Sequence, residues 1–183
     1  VETRWSDAAI QTAPWQKAQS DPAWAGEMIL RDFREVITDA PIEKVWESIE
    51  QIGGENGWYG ADFLWFMRGL LDRAIGGVGL RRGRRDPKTL RIGESLDFWR
   101  VENIEKGKLL RLYAEMILPG KAWLEFRVSE VDGKTKIIQE ATFAPHGLGG
   151  QLYWYSILPL HSFVFPTMLR NIVRSAKRKV LFG

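Results

Sequence analysis

The sequence predicts an α+β fold in which a curved antiparallel sheet wraps a long C-terminal helix. Three observations carry the prediction. From Leu90 to Phe143 apolar and polar residues alternate with a period of two, broken by hairpin-type turns; the segment after Asp39 repeats its apolar residues at 3-4 spacing; and so does the stretch from Phe165 onward.

Residues 1–26 show no sustained period. The turn-prone pieces "APW" and "SDPAWAG" leave Trp5, Trp15 and Trp24 free to dock on a neighbour, so this segment reads as a linker or N-terminal wrap ahead of a domain over 27–183. "MILRDFREVITD" is a first strand, with Ile29, Val36 and Ile37 around a charged middle. In "DAPIEKVWESIEQIG", Asp39 is placed as an N-cap and Pro41 suits the first turn. Ile42, Val45, Trp46, Ile49 and Ile52 make one face, and Gly53-Gly54 end the helix. A Gly-rich loop with Trp58 and Tyr59 leads into a second helix, "DFLWFMRGLLDRAIGG", whose face is Phe63, Phe66, Met67, Leu70, Leu71 and Ala74.

Four strands follow. "SLDFWRVENI", "LLRLYAEMI", "AWLEFRVSEV" and "KIIQEATF" are separated by "EKGK", "PGK" and "VDGKT". The last segment, "FPTMLRNIVRSAKRKV", sets Phe165, Met168, Leu169, Ile172, Val173 and Ala176 on one stripe and gathers cations at its end, where the helix dipole favours them. Before it, Gly147–Leu169 runs 23 residues without a charge, long enough to raise a membrane span. Pro159, Pro166, three glycines and the polar Gln151, Ser156 and His161 speak instead for a buried strand running into the last helix, so a membrane is not an expected partner.

With 183 residues, 45% hydrophobic and 27% charged, the composition is that of one ordinary globular domain. Nine tryptophans and nine phenylalanines fit a large aromatic core or a cavity wall. The absence of cysteine excludes disulfides, thiolate nucleophiles and Cys-based metal sites, and fits a reducing compartment such as the cytoplasm. A net charge of +3 is too weak to imply nucleic acid without a concentrated patch.

This order of elements resembles the helix-grip fold of START-like (SRPBCC) and birch-pollen-allergen-like proteins, in which the first strand is followed by a "DAP-x-E-K-V-W" turn into a helix. Asp39, Ala40, Pro41, Glu43, Lys44, Val45 and Trp46 match that turn. The stretches "TRWSDA", "DPAWAG", "IGGENGWY", "LWFMRGLLDRAIGGVGLRRGRRDP", "LDFWRVE", "AEMILPGKAWLEF" and "GLGGQLYWYSILPLHSFVF" resemble the uncharacterised START-like domain found C-terminal to short-chain-dehydrogenase-like NAD(P)-binding domains in bacterial proteins. The resemblance implies an upstream NAD(P)-binding domain as partner, would explain the missing initiator Met, and implies no known activity.

The concentrated patch is "GGVGLRRGRRDP", Gly76 to Pro87. It lacks the Lys-Ser/Thr of a P-loop, and its glycines follow a helix and do not match a dinucleotide fingerprint, so no cofactor is expected in this chain. No aromatic is interleaved to stack a base, so no nucleic acid is expected either. Arg81, Arg82, Arg84 and Arg85 are expected to pin the loop to carboxylates such as Asp86, Asp97 or Glu115, with an anion site at a cavity mouth as the alternative.

Acid–base candidates are Glu115, Asp97, His146 and His161. Neither histidine has the spacing of a metal site, so no metal is expected, and a hydrogen-bonded structural role is the simpler reading of each. On the sheet, Leu110, Leu112, Ala114 and Met116 share one face and Arg111, Tyr113 and Glu115 the other. Ala122, Leu124 and Phe126 likewise oppose Trp123 and Glu125. The simple assignment puts the carboxylates in water, while their companionship with Trp99, Tyr113 and Trp123 would also suit a half-polar cavity lining.

The expected function is binding of a small apolar or amphipathic ligand between the sheet and the C-terminal helix, as an accessory to the upstream domain. The expected contacts are Trp58, Tyr59, Trp65, Arg68 and Arg84 on the loop side and Trp99, Trp123, Gln139, Tyr153 and Tyr155 on the sheet and the residues after it. The alternatives are an enzyme of cyclase or proton-transfer type and a module that regulates the upstream domain. A pocket above ~300 Å³ would favour the first two and a filled core the last.

Overall fold

A computed structural model describes residues 28–53, 57–58, 86 and 89–182, with no account of the Phe182 side chain. Strand β1 (Leu30–Thr38) and helix α1 (Ile42–Glu50) come first. Then come β2 (Ser95–Leu96), β3 (Trp99–Glu105), β4 (Leu109–Ala114), β5 (Gly120–Val131) and β6 (Lys134–Pro145), and the 36-residue helix α2 (Gly147–Phe182) ends the chain. The six strands form one antiparallel sheet in the order β1-β6-β5-β4-β3-β2, which α2 crosses on one face with α1 packed beside it. The predicted fold class is the observed one.

Local chemistry explains the hairpins. Val131 pairs with Lys134 across a two-residue turn, and Asp132 and Gly133 both take positive φ (51° and 71°), as a type I′ turn demands. In β3 the register shifts between Val101 and Asn103, so Glu102 sits in a bulge. The predicted strand "SLDFWRVENI" is split in two, because Asp97 turns the chain at φ 57° between β2 and β3.

The register assigns the faces. Val101, Leu112, Leu124, Ala141 and Asp32 are neighbours across the sheet on the side toward α2; Arg100, Tyr113, Trp123, Thr142 and Arg31 lie on the other. The core fills the first side. Trp46 and Ile49 of α1 and Leu169 of α2 are buried together there, with Leu110, Leu112 and Phe126 beneath them. Two polar contacts pin the helices to each other: Ser48 Oγ donates to Ser175 Oγ at 3.3 Å and Lys179 Nζ to Gln51 Oε1 at 2.7 Å.

Two sequence expectations need correction. Asp39 does not cap α1: Pro41 holds the N-cap position with no side-chain cap, and its carbonyl accepts from Lys44 and Val45. Asp39 is exposed and pairs with Lys134 at 3.2 Å. Thr38 Oγ1 does the local turn work instead, accepting from Ala40 N at 3.2 Å.

The second correction is larger. Gly147–Leu169 is helical throughout, so α2 begins 18 residues before Phe165. Trp154, Ile157, His161, Val164, Phe165, Met168, Leu169, Ile172 and Ala176 keep unbroken 3-4 spacing against the sheet, and that packing outweighs the cost of Pro159 and Pro166. Ser162 and Thr167 hydroxyls donate to the carbonyls of Leu158 and Phe163 through the proline-bearing stretch. No helix among the described residues is long and apolar enough to cross a membrane. The second predicted helix and the arginine loop lie outside the described residues.

Candidate functional site

A pocket of about 110 Å³ lies between the sheet and the first half of α2. Its floor is Trp99, Ala122, Leu124, Ala141 and Phe143, and its roof Tyr153, Trp154, Ile157, His161, Val164 and Phe165. The rings are ordered against one another. Trp154 stacks on Phe143 at 5.7 Å with 6° between planes, and His161 meets Trp154 edge-on at 5.2 Å and Phe165 at 4.5 Å. The pocket falls short of the ~300 Å³ expected for the ligand-binding and enzyme readings, so it does not meet that expectation; it is close to the ~150 Å³ of an apolar cavity that accepts one benzene ring.

Behind the lining, His161 meets a polar group on β1. Asp32 on β1 sits cross-strand from Ala141. Its carboxylate is held by Arg34, with Nε to Oδ1 at 2.7 Å and Nη2 to Oδ2 at 3.3 Å. His161 Nδ1 stands 3.8 Å from Asp32 Oδ2. Burial lowers the imidazole pKa from 6.5 to about 4; the Asp32 charge opposes the shift and the Arg34 charge adds to it. His161 is therefore a neutral ring at pH 7. Gln139, cross-strand from Arg34 and fully buried, spends its amide nitrogen on Met168 Sδ at 3.4 Å.

Of the acid–base candidates, His161 lines this pocket. Glu115 lies on the opposite face, where Arg100 Nε donates to it at 2.5 Å. Asp97 is buried in the β2–β3 turn and accepts from Trp58 Nε1 at 2.6 Å, so these two expected site residues hold each other away from the pocket lining. His146 is exposed just before α2, its backbone N–H donating to Pro119 at 2.8 Å.

Of the expected ligand contacts, Trp99, Trp123 and Tyr153 border the pocket. Gln139 is beside it along β6, and Tyr155 is 58% exposed on the far side of α2. Tyr59, Trp65, Arg68 and Arg84 lie outside the described residues. Sequence reasoning missed Asp32, Arg34 and Trp154. The alternation in "RDFREV" placed Asp32 and Arg34 on one strand face, and that was the available signal.

Two carboxylates of the other sheet face, Glu125 and Glu140, are neither in water nor in the cavity lining. Arg31, Glu140, Arg127, Glu125 and Arg111 form a continuous run of ion pairs across four strands, with Arg31–Glu140 at 3.3 Å, Arg127–Glu140 at 2.5 Å, Arg111–Glu125 at 2.6 Å and Arg127 bonded to Glu125. Tyr113 and Trp123 pack beside this run at 5.7 Å. Among the described residues no group of acidic, His or Cys side chains is arranged to hold a metal ion.

Residues 24–168 match the family model described as a protein of unknown function, DUF2867. No curated protein matches the chain. The fold is similar to the Zhui aromatase/cyclase from Streptomyces sp. R1128, with 13% identity over 83% of this chain and 96% of that one and a TM-score of 0.51. It is also similar to the di-domain ARO/CYC StfQ from the steffimycin biosynthetic pathway, with 11% identity and a TM-score of 0.50; the alignment covers 84% of this chain and 52% of StfQ. DynU16, from the dynemicin biosynthetic locus, aligns with 13% identity and a TM-score of 0.49 over 80% of this chain and 47% of its own. The chain thus spans about half the length of two of these relatives.

Proposed function

The chain belongs to the DUF2867 family, whose description assigns no activity, and from its geometry we propose that it binds a small, largely apolar ligand between the sheet and α2. One observation carries the reading. An aromatic pocket remains open between the sheet and α2, beside the buried apolar cluster, although interiors normally leave few voids larger than a water molecule. Enclosing one ring against Trp99, Trp154 and Phe165 removes apolar surface from water at about 25 cal/mol per Å². That the similar folds include aromatase/cyclase proteins supports a ligand-holding use of the architecture.

A second reading is proton transfer within the same pocket, and His161 is the candidate base that lines it. Its lowered pKa makes it a weak base at pH 7, which favours binding over catalysis. The accessory relation to an upstream NAD(P)-binding domain rests on the sequence resemblance and extends the proposal: the ligand held here would be delivered to, or sensed for, that domain.

Toluene titrated calorimetrically into wild-type protein and Ala141→Leu tests the proposal. Saturable one-site binding that the larger side chain abolishes supports it. No binding to the folded wild type, or equal binding to both proteins, refutes it.

A further inference from the structure

We infer that the solvent-facing side of the first half of α2 is a docking surface for the tryptophan-bearing segment 1–27 of the same chain, an inference independent of the ligand-binding reading. This half of the helix is apolar on both sides. Trp154, Ile157, Val164 and Met168 face the sheet and the pocket. On the opposite side Leu148, Leu152, Tyr155, Pro159 and Phe163 recur at 3-4 spacing, a row about 22 Å long at 1.5 Å per residue. Leu148, Leu152, Tyr155 and Phe163 are 58% to 77% exposed. A helix that is hydrophobic all round is normally a buried one, and a contiguous exposed apolar surface marks an interaction site. Farther along the helix the same row continues as Arg170, Arg174 and Lys177, an ordinary solvated face, so the apolar row has a defined end.

The sheet register selects the occupant. Leu30 of β1 pairs with Phe143 of β6, and Phe143 stands four residues ahead of Gly147, where α2 starts. The segment before Met28 therefore joins the domain at the end of the sheet from which the apolar row departs. Trp24 lies four residues from Met28, a reach of at most about 14 Å, and Trp15 thirteen residues, at most about 45 Å, so the two can meet the near and the far end of the row. Their rings bury much apolar area for little loss of side-chain freedom. Glu2, Asp7, Asp21 and Glu27 outnumber Arg4 and Lys17 in the segment, which suits the cations that follow the row. Trp24 and the whole row fall inside the family match over residues 24–168, so the near end of the segment belongs to the same unit as α2. A second copy would have to reach this face from solution, whereas the tether holds the segment beside it at roughly millimolar effective concentration.

The chain has no cysteine, so Ser20→Cys carries a single nitroxide label in the full-length protein, and the broadening it causes is read at backbone amides in ¹⁵N spectra. The amides of Leu148, Leu152 and Tyr155 should lose several-fold in intensity, while Asp132 and Gly133, at the opposite end of the sheet, keep theirs. Adding Trp15→Ser and Trp24→Ser should restore the lost signals although the tether is unchanged. A mixture of unlabelled ¹⁵N protein with nitroxide-labelled ¹⁴N protein should show no broadening on the row. Without any label, Trp15→Ser/Trp24→Ser should shift these amides relative to wild type. Full-intensity signals on the row, broadening that survives loss of both tryptophans, or unshifted amides in the label-free comparison overturn the inference. Broadening in the mixed sample also overturns it and assigns the face to a second copy. None of these outcomes touches the ligand-binding reading, which the toluene titration decides separately.

Discussion

Trp58 donates its indole N–H to Asp97 Oδ2 at 2.6 Å, and this pair latches the segment after α1 to the turn between β2 and β3. The Trp58 ring also stacks on Phe98 at 6.2 Å with 6° between planes, and Asp97 holds a left-handed φ of 57°. Asp97→Ala removes a charge-assisted acceptor and leaves a side chain poorly suited to that backbone. It should cost about 3 kcal/mol in urea denaturation. Asp97→Asn keeps the φ tolerance and an acceptor and should cost about 1 kcal/mol.

Glu125 has an 8% exposed side chain and bonds Arg111 and Arg127 at once. Glu125→Ala leaves the Arg111 guanidinium, 17% exposed, beside an empty site and should destabilise by about 3 kcal/mol. The Asp39–Lys134 pair, 73% and 56% exposed, is screened by water, so Asp39→Ala should change stability by less than about 0.5 kcal/mol. Guanidinium midpoints of the two variants would separate them.

Gly149 and Gly150 are adjacent in α2 and should respond oppositely to alanine. A Cβ at Gly149 meets nothing within 4 Å, so Gly149→Ala should stabilise by up to about 1 kcal/mol through helix propensity. A Cβ at Gly150 would stand 2.4 Å from the Pro119 carbonyl oxygen and 2.7 Å from the Pro145 side chain. Gly150→Ala should therefore cost more than about 2 kcal/mol, with thermal melts reading both signs.

Stability should fall with acid through a window set by His161. Its pKa is lowered from 6.5 to about 4 on folding, so between these values the unfolded chain binds the proton that the folded one refuses. The unfolding free energy then drops as pH goes from about 6.5 to about 4, by roughly 3 kcal/mol in total, and this contribution levels off below. The melting temperature of wild type should fall more steeply than that of His161→Phe from pH 7 to 4. Parallel curves would mean that His161 titrates normally.

The sheet and α1 were legible because their signals are local. Alternation in "LLRLYAEMI", the Asp-Gly of the β5–β6 turn and the 3-4 spacing of Val45, Trp46 and Ile49 each specify structure within a few residues. The first half of α2 was obscured by Pro159, Pro166 and three glycines, whose local preference the packed face overrides. The polar contact behind His161 was illegible for another reason. Asp32 and His161 meet only through the β1–β6 register and the path of α2 across the sheet, and nothing near either residue marks the other. The ion-pair run hid in the same way, since its arginines and glutamates come from four strands.

The central claim, that the aromatic pocket under α2 holds a ligand, is tested most directly by following tryptophan indole resonances in ¹⁵N-labelled protein during a toluene titration. Trp99 and Trp154 line the pocket, whereas Trp46 is equally buried on α1 away from its lining. The account predicts saturable shifts at Trp99 and Trp154 with Trp46 unmoved. Unchanged indoles, or a shift at Trp46 with Trp154 silent, would contradict it.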